Sequence, residues 1–422
     1  MATAVPVLNL RESPLEIANR RFSDAAEHSN LSDDLRAYLS TPFREISITV
    51  PLRSDSGRTL YCEAYRVQHN GIRGPLIAGL RLQQGLQLSD VQALAQTMTW
   101  KAAVVNVAFG GAMGGVSCDV KAFSAAERQR LVREYVARVN SVMGPYRDVT
   151  CPDLNTDAMA MHWVMAEYAA TYGESPACVL GKDLNDGGSQ AGTTATARGV
   201  FTVLRQALKD AGLPLTEARI AVQGFGGVGA ALALMLDRAQ VKVVAISNRH
   251  TGVYAASGLN VAEIIAHVRS GEPLARYEKA AQITNQALLA CDCDVLIPAA
   301  IEAVLDARNA HEVRARLIVE AANLVCTPTA EAVLRTRGVT VVPDILANAG
   351  GVTGAYLEWI QNLQRVHWDE SQVVFEIDRL MTRAYRNVLK RAKEQDMDLR
   401  ESAYSIAVDR VARAERLTPS AG

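Results

Sequence analysis

The segment Gly224-Phe-Gly226-Gly-Val-Gly229 has the glycine spacing that lets a backbone turn bind the pyrophosphate of a dinucleotide. Residues 218–223 in front of it predict a buried strand, and residues 230–239 behind it predict a helix. In that context the first glycine allows a tight turn, the second lets the backbone approach the phosphates, and the third lets the helix pack on the strand. The start of the helix adds N–H groups and the positive end of its dipole. The segment therefore predicts a nucleotide site, and the alternative is a glycine-rich turn that binds nothing.

The end of the next predicted strand, residues 241–247, bears on which nucleotide would be bound. It is followed by Asn248, Arg249 and His250. Dinucleotide sites of this kind usually place Asp or Glu here, where the carboxylate accepts a hydrogen bond from the adenosine ribose. Asn248 does not repel a 2′-phosphate and Arg249 can bind one, so the sequence admits NADP as well as NAD. The alternative is that Arg249 is a solvated loop residue.

Short apolar strands alternate with helices through this part of the chain. Further strands are predicted at residues 295–297, 317–319 and 340–342, with helical stretches between them. This alternation is typical of βαβ units and predicts an α/β fold with a parallel sheet. Beyond about residue 369 the pattern is helical and charged, without strands.

The N-terminal part has a different pattern. Residues 14–40 have apolar positions at helical spacing, and residues 45–50 and 59–66 predict a hairpin across the turn 54–57. Residues 88–101 and 124–143 predict amphipathic helices. Between them lies Gly110-Gly-Ala-Met-Gly-Gly115, whose composition predicts a turn.

Composition excludes several classes of protein. The 422 residues include 44 Lys+Arg and 45 Asp+Glu, so the near-zero net charge argues against bulk electrostatic binding to nucleic acid or to a membrane. No apolar run approaches the ~18 residues that cross a bilayer, and the N-terminus lacks a signal pattern. The seven scattered cysteines predict free thiols in a reducing cytoplasm rather than disulfides or a metal site. The length predicts two or three domains.

Three longer motifs carry a family resemblance. They are Met98-Thr-Trp-Lys101 with its continuation to Gly115, Pro152-Asp-Leu-Asn-Thr156, and Pro343-Asp-Ile-Leu-Ala-Asn-Ala-Gly-Gly-Val352. Together they resemble the glutamate/leucine/phenylalanine/valine dehydrogenase family, and within it the bacterial glutamate dehydrogenases. The resemblance runs from about residue 15 to about residue 416.

The resemblance implies two domains with a cleft between them. Residues 1–190 plus 350–422 would form an α/β substrate-binding and oligomerisation domain, and residues 191–349 a Rossmann-like NAD(P)-binding domain. The C-terminal helices would fold back on the first domain, and six subunits would assemble. The implied reaction converts an amino acid, NAD(P) and water to a 2-oxo acid, ammonia and NAD(P)H.

The resemblance also implies roles for individual residues. Lys101 matches the lysine that holds the substrate carboxylate, and Asp153 matches the catalytic aspartate. Thr193 matches a residue near the nicotinamide amide, while Asn323 and Asn348 match cofactor and substrate contacts.

Met113 departs from the family at the position of its catalytic lysine. The flanking glycines and the spacing from Lys101 are those of the family, so misalignment does not explain the change. The reaction needs a base with a near-neutral pKa to activate water, and a buried lysine suits that role. A thioether cannot be such a base. Losing a general acid–base group costs about 10²–10⁴ in rate.

Ile77 and Ala355 differ from the family's residues at two positions that bind the glutamate side chain in glutamate dehydrogenases. Ile77 replaces the family's lysine and Ala355 its partner serine. An unpaired carboxylate buried between them would be costly, so the predicted pocket disfavours glutamate and suits leucine or valine.

These departures leave two main hypotheses. The chain is either a catalytically impaired regulatory subunit that assembles with a paralogous active glutamate dehydrogenase subunit, or an active NAD(P)-dependent dehydrogenase for an apolar amino acid in which Asp153, Lys101 or water replaces the lost lysine. A weaker alternative is a reaction without water activation, such as imine reduction. The sequence favours the regulatory hypothesis.

Overall fold

The computed structural model describes residues 12–189 and 192–417. Its strands form two separate sheets, one from the N-terminal part of the chain and one from residues 219–342. Helices accompany both sheets, which confirms the predicted α/β class with two units. No described helix combines the length and apolar character needed to cross a bilayer.

The first sheet has five strands in the order β1-β2-β4-β3-β5. The predicted hairpin is present, and Val50 on β1 is paired with Cys62 on β2. Strands β3 and β5 were not predicted, because their surroundings carry no period-two pattern. The elements of this part are α1 Pro14–His28, α2 Asp33–Ser40, β1 Arg44–Arg53, β2 Thr59–Asn70, β3 Leu76–Gln83, α3 Leu88–Val105, β4 Gly110–Ser117, α4 Ala125–Val139, β5 Asp148–Pro152 and α5 Ala158–Tyr172.

The glycine-rich segment 110–115 is a central strand, so the prediction of a turn is wrong. It forms most of β4, between β2 and β3. The glycines serve close packing rather than a reversal of the chain: a Cβ atom on Gly111 would lie 2.1 Å from the backbone nitrogen of Thr99 on α3. Helix α3 therefore packs directly on β4, and Met113 lies at a fixed position in the middle of the sheet.

The second sheet has seven strands in the order β12-β11-β10-β6-β7-β8-β9. The remaining elements are α6 Ala195–Asp210, β6 Arg219–Gln223, α7 Gly227–Arg238, β7 Lys242–Ser247, β8 Gly252–Tyr254, α8 Val261–Arg269, β9 Ala281–Ile283, α9 Asn285–Leu289, β10 Val295–Pro298, β11 Leu317–Val319, α10 Pro328–Thr336, β12 Thr340–Val342, α11 Asp344–Ala347, α12 Gly350–Gln364, α13 Glu370–Gln395 and α14 Leu399–Leu417.

This sheet is mixed, whereas the sequence predicted a parallel one. Strands β12, β11, β10, β6 and β7 are parallel, but β8 is antiparallel to β7 and β9 is antiparallel to β8. After Ser247 the chain turns back within a few residues, and a parallel pairing would need a longer crossover.

The C-terminal helices connect the two units. Helix α14 packs on α1 and α3, as the family resemblance implies, while α13 packs on α6 as well. Arg410 of α14 donates to the carbonyl oxygens of Ala103 (2.7 Å) and Val104 (2.8 Å), which satisfies acceptors at the end of α3.

Charged side chains also join the two units. Arg21 of α1 lies 2.8 Å from a Glu331 oxygen, and Arg400 of α14 lies 2.7 Å from Glu320 and 3.1 Å from Asp344. Burial acts to raise the pKa of Asp344, but Arg21 and Arg400 hold it below its ordinary value. Two guanidinium groups thus neutralise carboxylates that would otherwise be costly to bury.

Candidate functional site

A cavity of about 500 Å³ lies between the two units. Strands β3, β4 and β5 and helices α3, α5 and α12 contribute one wall, and the nucleotide unit contributes the other. Its lining includes Ile77, Gly79, Leu94, Thr97, Met98, Lys101, Met113, Cys151, Pro152, Asp153, Thr196, Val228, Ala321, Ala322, Asn323, Asn348, Gly351, Val352, Ala355 and Glu358.

Met113 lies at the base of this cavity. On the neighbouring strands Gly79 is in register with both Met113 and Cys151, so the three residues form one row across the sheet. Met113 is 2% exposed and packs in an apolar cluster that includes Leu94 of α3. The position therefore contributes a thioether and apolar contacts, with no titratable nitrogen.

Ile77 and Ala355 line the same cavity. Ile77 precedes Gly79 by two residues on β3 and is 1% exposed, and Ala355 lies on α12. Both add apolar surface. Neither side chain can pair with a carboxylate placed beside it, because neither is charged.

Lys101 reaches across the cleft. Its Nζ donates to Oδ1 of Asn323 at 2.7 Å, and Nδ2 of Asn348 donates to the same oxygen at 3.0 Å. Oδ1 of Asn348 is buried without a hydrogen-bond partner among the described residues. Burial lowers the pKa of Lys101 to about 8, with nearby acidic groups, Asp344 first among them, acting the other way. Lys101 is the only lysine among the described residues that line the cavity.

Asp153 follows β5 directly and lies on the opposite side of Gly79 from Met113. Its Oδ2 accepts from Nε of Arg81 at 3.1 Å, and Nη1 of Arg81 donates to Glu302 at 3.2 Å. The Asp153 carboxylate is about one-quarter exposed, so it remains accessible from the cavity. Burial raises the pKa of the neighbouring Cys151 thiol to about 12, which keeps it protonated.

The cavity can thus hold a small acid. Lys101 offers a cation to a carboxylate, Asn348 offers an acceptor, and Asp153 offers a carboxylate within the same space. The apolar residues Ile77 and Met113 then face what remains of the ligand. Among the described residues that line the cavity, no second amine lies beside Asp153.

The predicted dinucleotide turn has the required geometry. Gly224 follows β6 with φ +99°, and a Cβ atom on Gly229 would lie 1.9 Å from the carbonyl oxygen of Gly224. At Gly226 and Gly227, by contrast, a Cβ atom would meet nothing within 4 Å. The open positions lie at the start of α7, where a pyrophosphate can approach the backbone and the helix N-terminus. These residues fit a dinucleotide.

Asn248 and Arg249 directly follow β7, where the sequence predicts contact with the adenosine ribose of the nucleotide. Oδ1 of Asn248 accepts from the N–H groups of His250 (2.8 Å) and Thr251 (3.0 Å), so this oxygen holds the turn. Arg249 is exposed, and its Nε donates to Nε2 of His250 at 2.8 Å. The guanidinium group of Arg249 therefore remains accessible to a ligand at the end of β7.

Thr193 falls in the short 3₁₀-helix Gly192–Thr194, but its side chain lies outside the part of the chain that is described. The neighbouring Thr196 on α6 lines the cavity. Gly79, Arg81 and Glu302 were not among the predicted site residues. Strand β3, which carries Gly79 and Arg81, is apolar and buried along nearly its whole length, and Glu302 carries no local signal.

Family models match most of the chain. The Glutamate/Leucine/Phenylalanine/Valine dehydrogenase model matches residues 187–418, and the Glu/Leu/Phe/Val dehydrogenase dimerisation-domain model matches residues 42–170. The chain belongs to the Glu/Leu/Phe/Val dehydrogenase family. Members of this family use NAD or NADP, which agrees with the geometry at Gly224–Gly229.

Two relatives in this dehydrogenase family match nearly the full chain. The glutamate dehydrogenase of Thermotoga maritima is 41% identical over 407 residues, covering 96% of this chain and 98% of its own. Glutamate dehydrogenase B of Halobacterium salinarum is 39% identical over 405 residues, covering 96% and 94%.

Solved structures of glutamate dehydrogenases have the same fold. The hetero-hexameric glutamate dehydrogenase from Thermus thermophilus, in its leucine-bound form, has a TM-score of 0.93 at 35% identity, covering 100% of both chains. Glutamate dehydrogenase from Peptoniphilus asaccharolyticus has a TM-score of 0.83 at 31% identity, covering 97% and 100%.

Proposed function

We propose that this chain is a catalytically impaired, regulatory subunit of a hetero-oligomeric glutamate dehydrogenase. The observation that carries the proposal is Met113, buried at the base of the cavity where the family has its catalytic lysine. The cavity around it retains Lys101 and Asp153, so among these three catalytic positions only the one proposed to activate water has changed. A subunit that keeps the residues for ligand binding but lacks this base is better suited to binding an amino acid than to oxidising it.

The apolar lining supports a ligand other than glutamate. Ile77 and Ala355 replace the polar pair expected for a glutamate side chain, and Met113 adds apolar surface. An apolar amino acid, or its 2-oxo acid, would place its carboxylate at Lys101 and its side chain against these residues. The pocket therefore suits leucine or valine as a ligand.

The paralogous partner is proposed by analogy with a neighbour. The Thermus thermophilus glutamate dehydrogenase of the same fold is a hetero-hexamer. This chain would likewise enter a hexamer together with a lysine-bearing subunit, and its own cavity would sense the apolar ligand. Since the dinucleotide turn is intact, an NAD or NADP molecule could still bind, and when bound it would supply a hydride acceptor. The residues of this chain would orient the ligand and exclude water.

Co-expression with a lysine-bearing glutamate dehydrogenase of the same source tests the proposal. The chain alone should give little or no amino-acid-dependent NAD(P)H formation, and the co-purified complex should respond to leucine more strongly than the partner alone. Ordinary turnover by an oligomer of this chain alone would contradict it. A matched control is the complex made with the Ile77→Lys variant, which should lose the response.

An active dehydrogenase for an apolar amino acid is the second candidate. The observation in its favour is that burial lowers the pKa of Lys101 to about 8, which brings an amine near the range of a general base. Lys101 would then serve both the substrate carboxylate and the proton transfer. Leucine or valine oxidation by the purified chain, with none for glutamate, would support this candidate over the regulatory one.

A further inference from the structure

Arg81 contacts carboxylates from both sides of the cleft. It lies on β3, and its Nε donates to Asp153 of the same unit at 3.1 Å. Its Nη1 donates to Glu302, which follows β10 in the nucleotide unit, at 3.2 Å. The side chain of Arg81 is 9% exposed, so both contacts are shielded from solvent.

The guanidinium group is well suited to this double contact. Nη1 also donates to Oε1 of Gln83 at 3.2 Å, which fixes the plane of the group. Burial acts to lower the pKa of Arg81, but Asp153 and Glu302 together raise it, so the side chain stays charged. The planar fork can reach two carboxylates at once, which the single amine of a lysine cannot do with the same geometry.

The loop that carries Glu302 is joined to the nucleotide turn. A Cβ atom on Gly224 would lie 2.7 Å from the carbonyl oxygen of Ala299, so this loop lies directly against the first glycine of the motif. Further along, the N–H of Ala303 donates to the carbonyl oxygen of Leu324 at 2.8 Å, next to the Asn323 that binds Lys101. Movement of the nucleotide unit therefore carries Glu302 with it.

We propose that Arg81 is a positioning residue that couples closure of the cleft to the orientation of Asp153, with Glu302 as the sensor of closure. When the cleft is closed, Glu302 holds Nη1 and the guanidinium presents Nε to Asp153. When the cleft opens, that contact is lost and Asp153 is held less firmly. This coupling holds whether or not the chain catalyses a reaction, because it depends on the two carboxylates and the arginine alone.

Carboxylate footprinting tests the coupling in the full-length oligomer. A water-soluble carbodiimide with glycine ethyl ester labels accessible Asp and Glu side chains, and peptide mass spectrometry reads each position. In Glu302→Gln, labelling of Asp153 should rise about two- to fivefold, the range expected when a partly buried ion pair loses support. The control is Glu278→Gln, which removes an exposed carboxylate of the same unit and should leave Asp153 unchanged.

A double-mutant cycle separates positioning from a local structural effect. In an Arg81→Lys background, Glu302→Gln should add nothing to the labelling of Asp153, because lysine cannot bridge the two carboxylates. If Glu302→Gln does not yield a folded oligomer, Glu302→Asp replaces it. This variant draws the carboxylate back by one methylene, and the labelling of Asp153 should rise by less than the range expected for Glu302→Gln. Unchanged labelling of Asp153 in both Glu302 variants would overturn the proposal. An equal effect of Glu302→Gln in the unmodified chain and in the Arg81→Lys background would overturn it as well.

Discussion

The sulfur of Met113 and the Cβ atom of Asp153 both lie 3.0 Å from the point that a Cβ atom on Gly79 would occupy. The two side chains therefore approach each other across a glycine that has no side chain to separate them. One of them comes from the central strand β4 and the other from the end of β5. An amine at position 113 would lie close to the Asp153 carboxylate, and a thioether there leaves that carboxylate to Arg81.

Met113→Lys should restore the missing base. Both side chains are unbranched, so lysine can follow the methionine path along β4 towards Asp153. We expect leucine- or valine-dependent NAD(P)H formation to exceed that of the unmodified chain by about 10²-fold or more. Met113→Leu is the control and should give no gain. If Met113→Lys is folded and no faster, the lost amine does not limit this chain.

Binding of a 2-oxo acid should depend on the protonation of Lys101. Burial lowers its pKa to about 8, and only the ammonium form pairs with a carboxylate. Affinity for the 2-oxo acid of leucine, measured by calorimetry, should be constant at lower pH and fall above about pH 8, approaching tenfold per pH unit. Lys101→Arg should remove this dependence because a guanidinium does not titrate in this range. An unchanged pH profile in Lys101→Arg would exclude Lys101 as the anchor.

Arg249 should favour NADP over NAD. The residue is exposed beside the end of β7, where its guanidinium group contacts the ring of His250. Arg249→Ala should weaken NADP binding about tenfold, as for a lost hydrogen bond to a charged group, and leave NAD binding unchanged. Direct nucleotide titration by fluorescence measures both constants. Arg269→Ala, an exposed arginine in the last turn of α8, is the control. Equal NADP binding in Arg249→Ala would show that Arg249 is only a solvated loop residue.

Removing Arg400 should destabilise the junction between the units. Its guanidinium lies against the buried carboxylates of Glu320 and Asp344 and the partly buried one of Glu331, and Arg400→Met would leave these carboxylates with one arginine. The free energy of unfolding in urea should fall by about 3–5 kcal/mol. Arg335→Gln removes a more exposed arginine that pairs with Asp398 and Glu401, and should cost less than about 1 kcal/mol. Similar losses in the two variants would contradict this account.

Local sequence was sufficient for several features of the site. The strand, glycine turn and helix around Gly224 are as predicted, because each depends on neighbours within a few residues. Lys101, Asp153, Met113, Ile77 and Ala355 also line one cavity, as the family motifs implied. The roles assigned to them remain predictions. The turn predicted at residues 110–115 was wrong, since glycine composition alone does not distinguish a turn from a strand packed closely between neighbours.

The sequence motifs carried the family resemblance that the family models confirm, and the strand and helix patterns indicated the α/β class. That Met113 replaces a catalytic lysine remains a prediction. Such patterns can be recognised without knowledge of the packing. The folded chain was needed to show that Arg81 bridges Asp153 and Glu302, that Lys101 meets Asn323, and that Arg400 holds three carboxylates. Each of these contacts joins residues distant in the chain. Their geometry is set by how two sheets and the returning C-terminal helices pack, and no local pattern of residues encodes that packing.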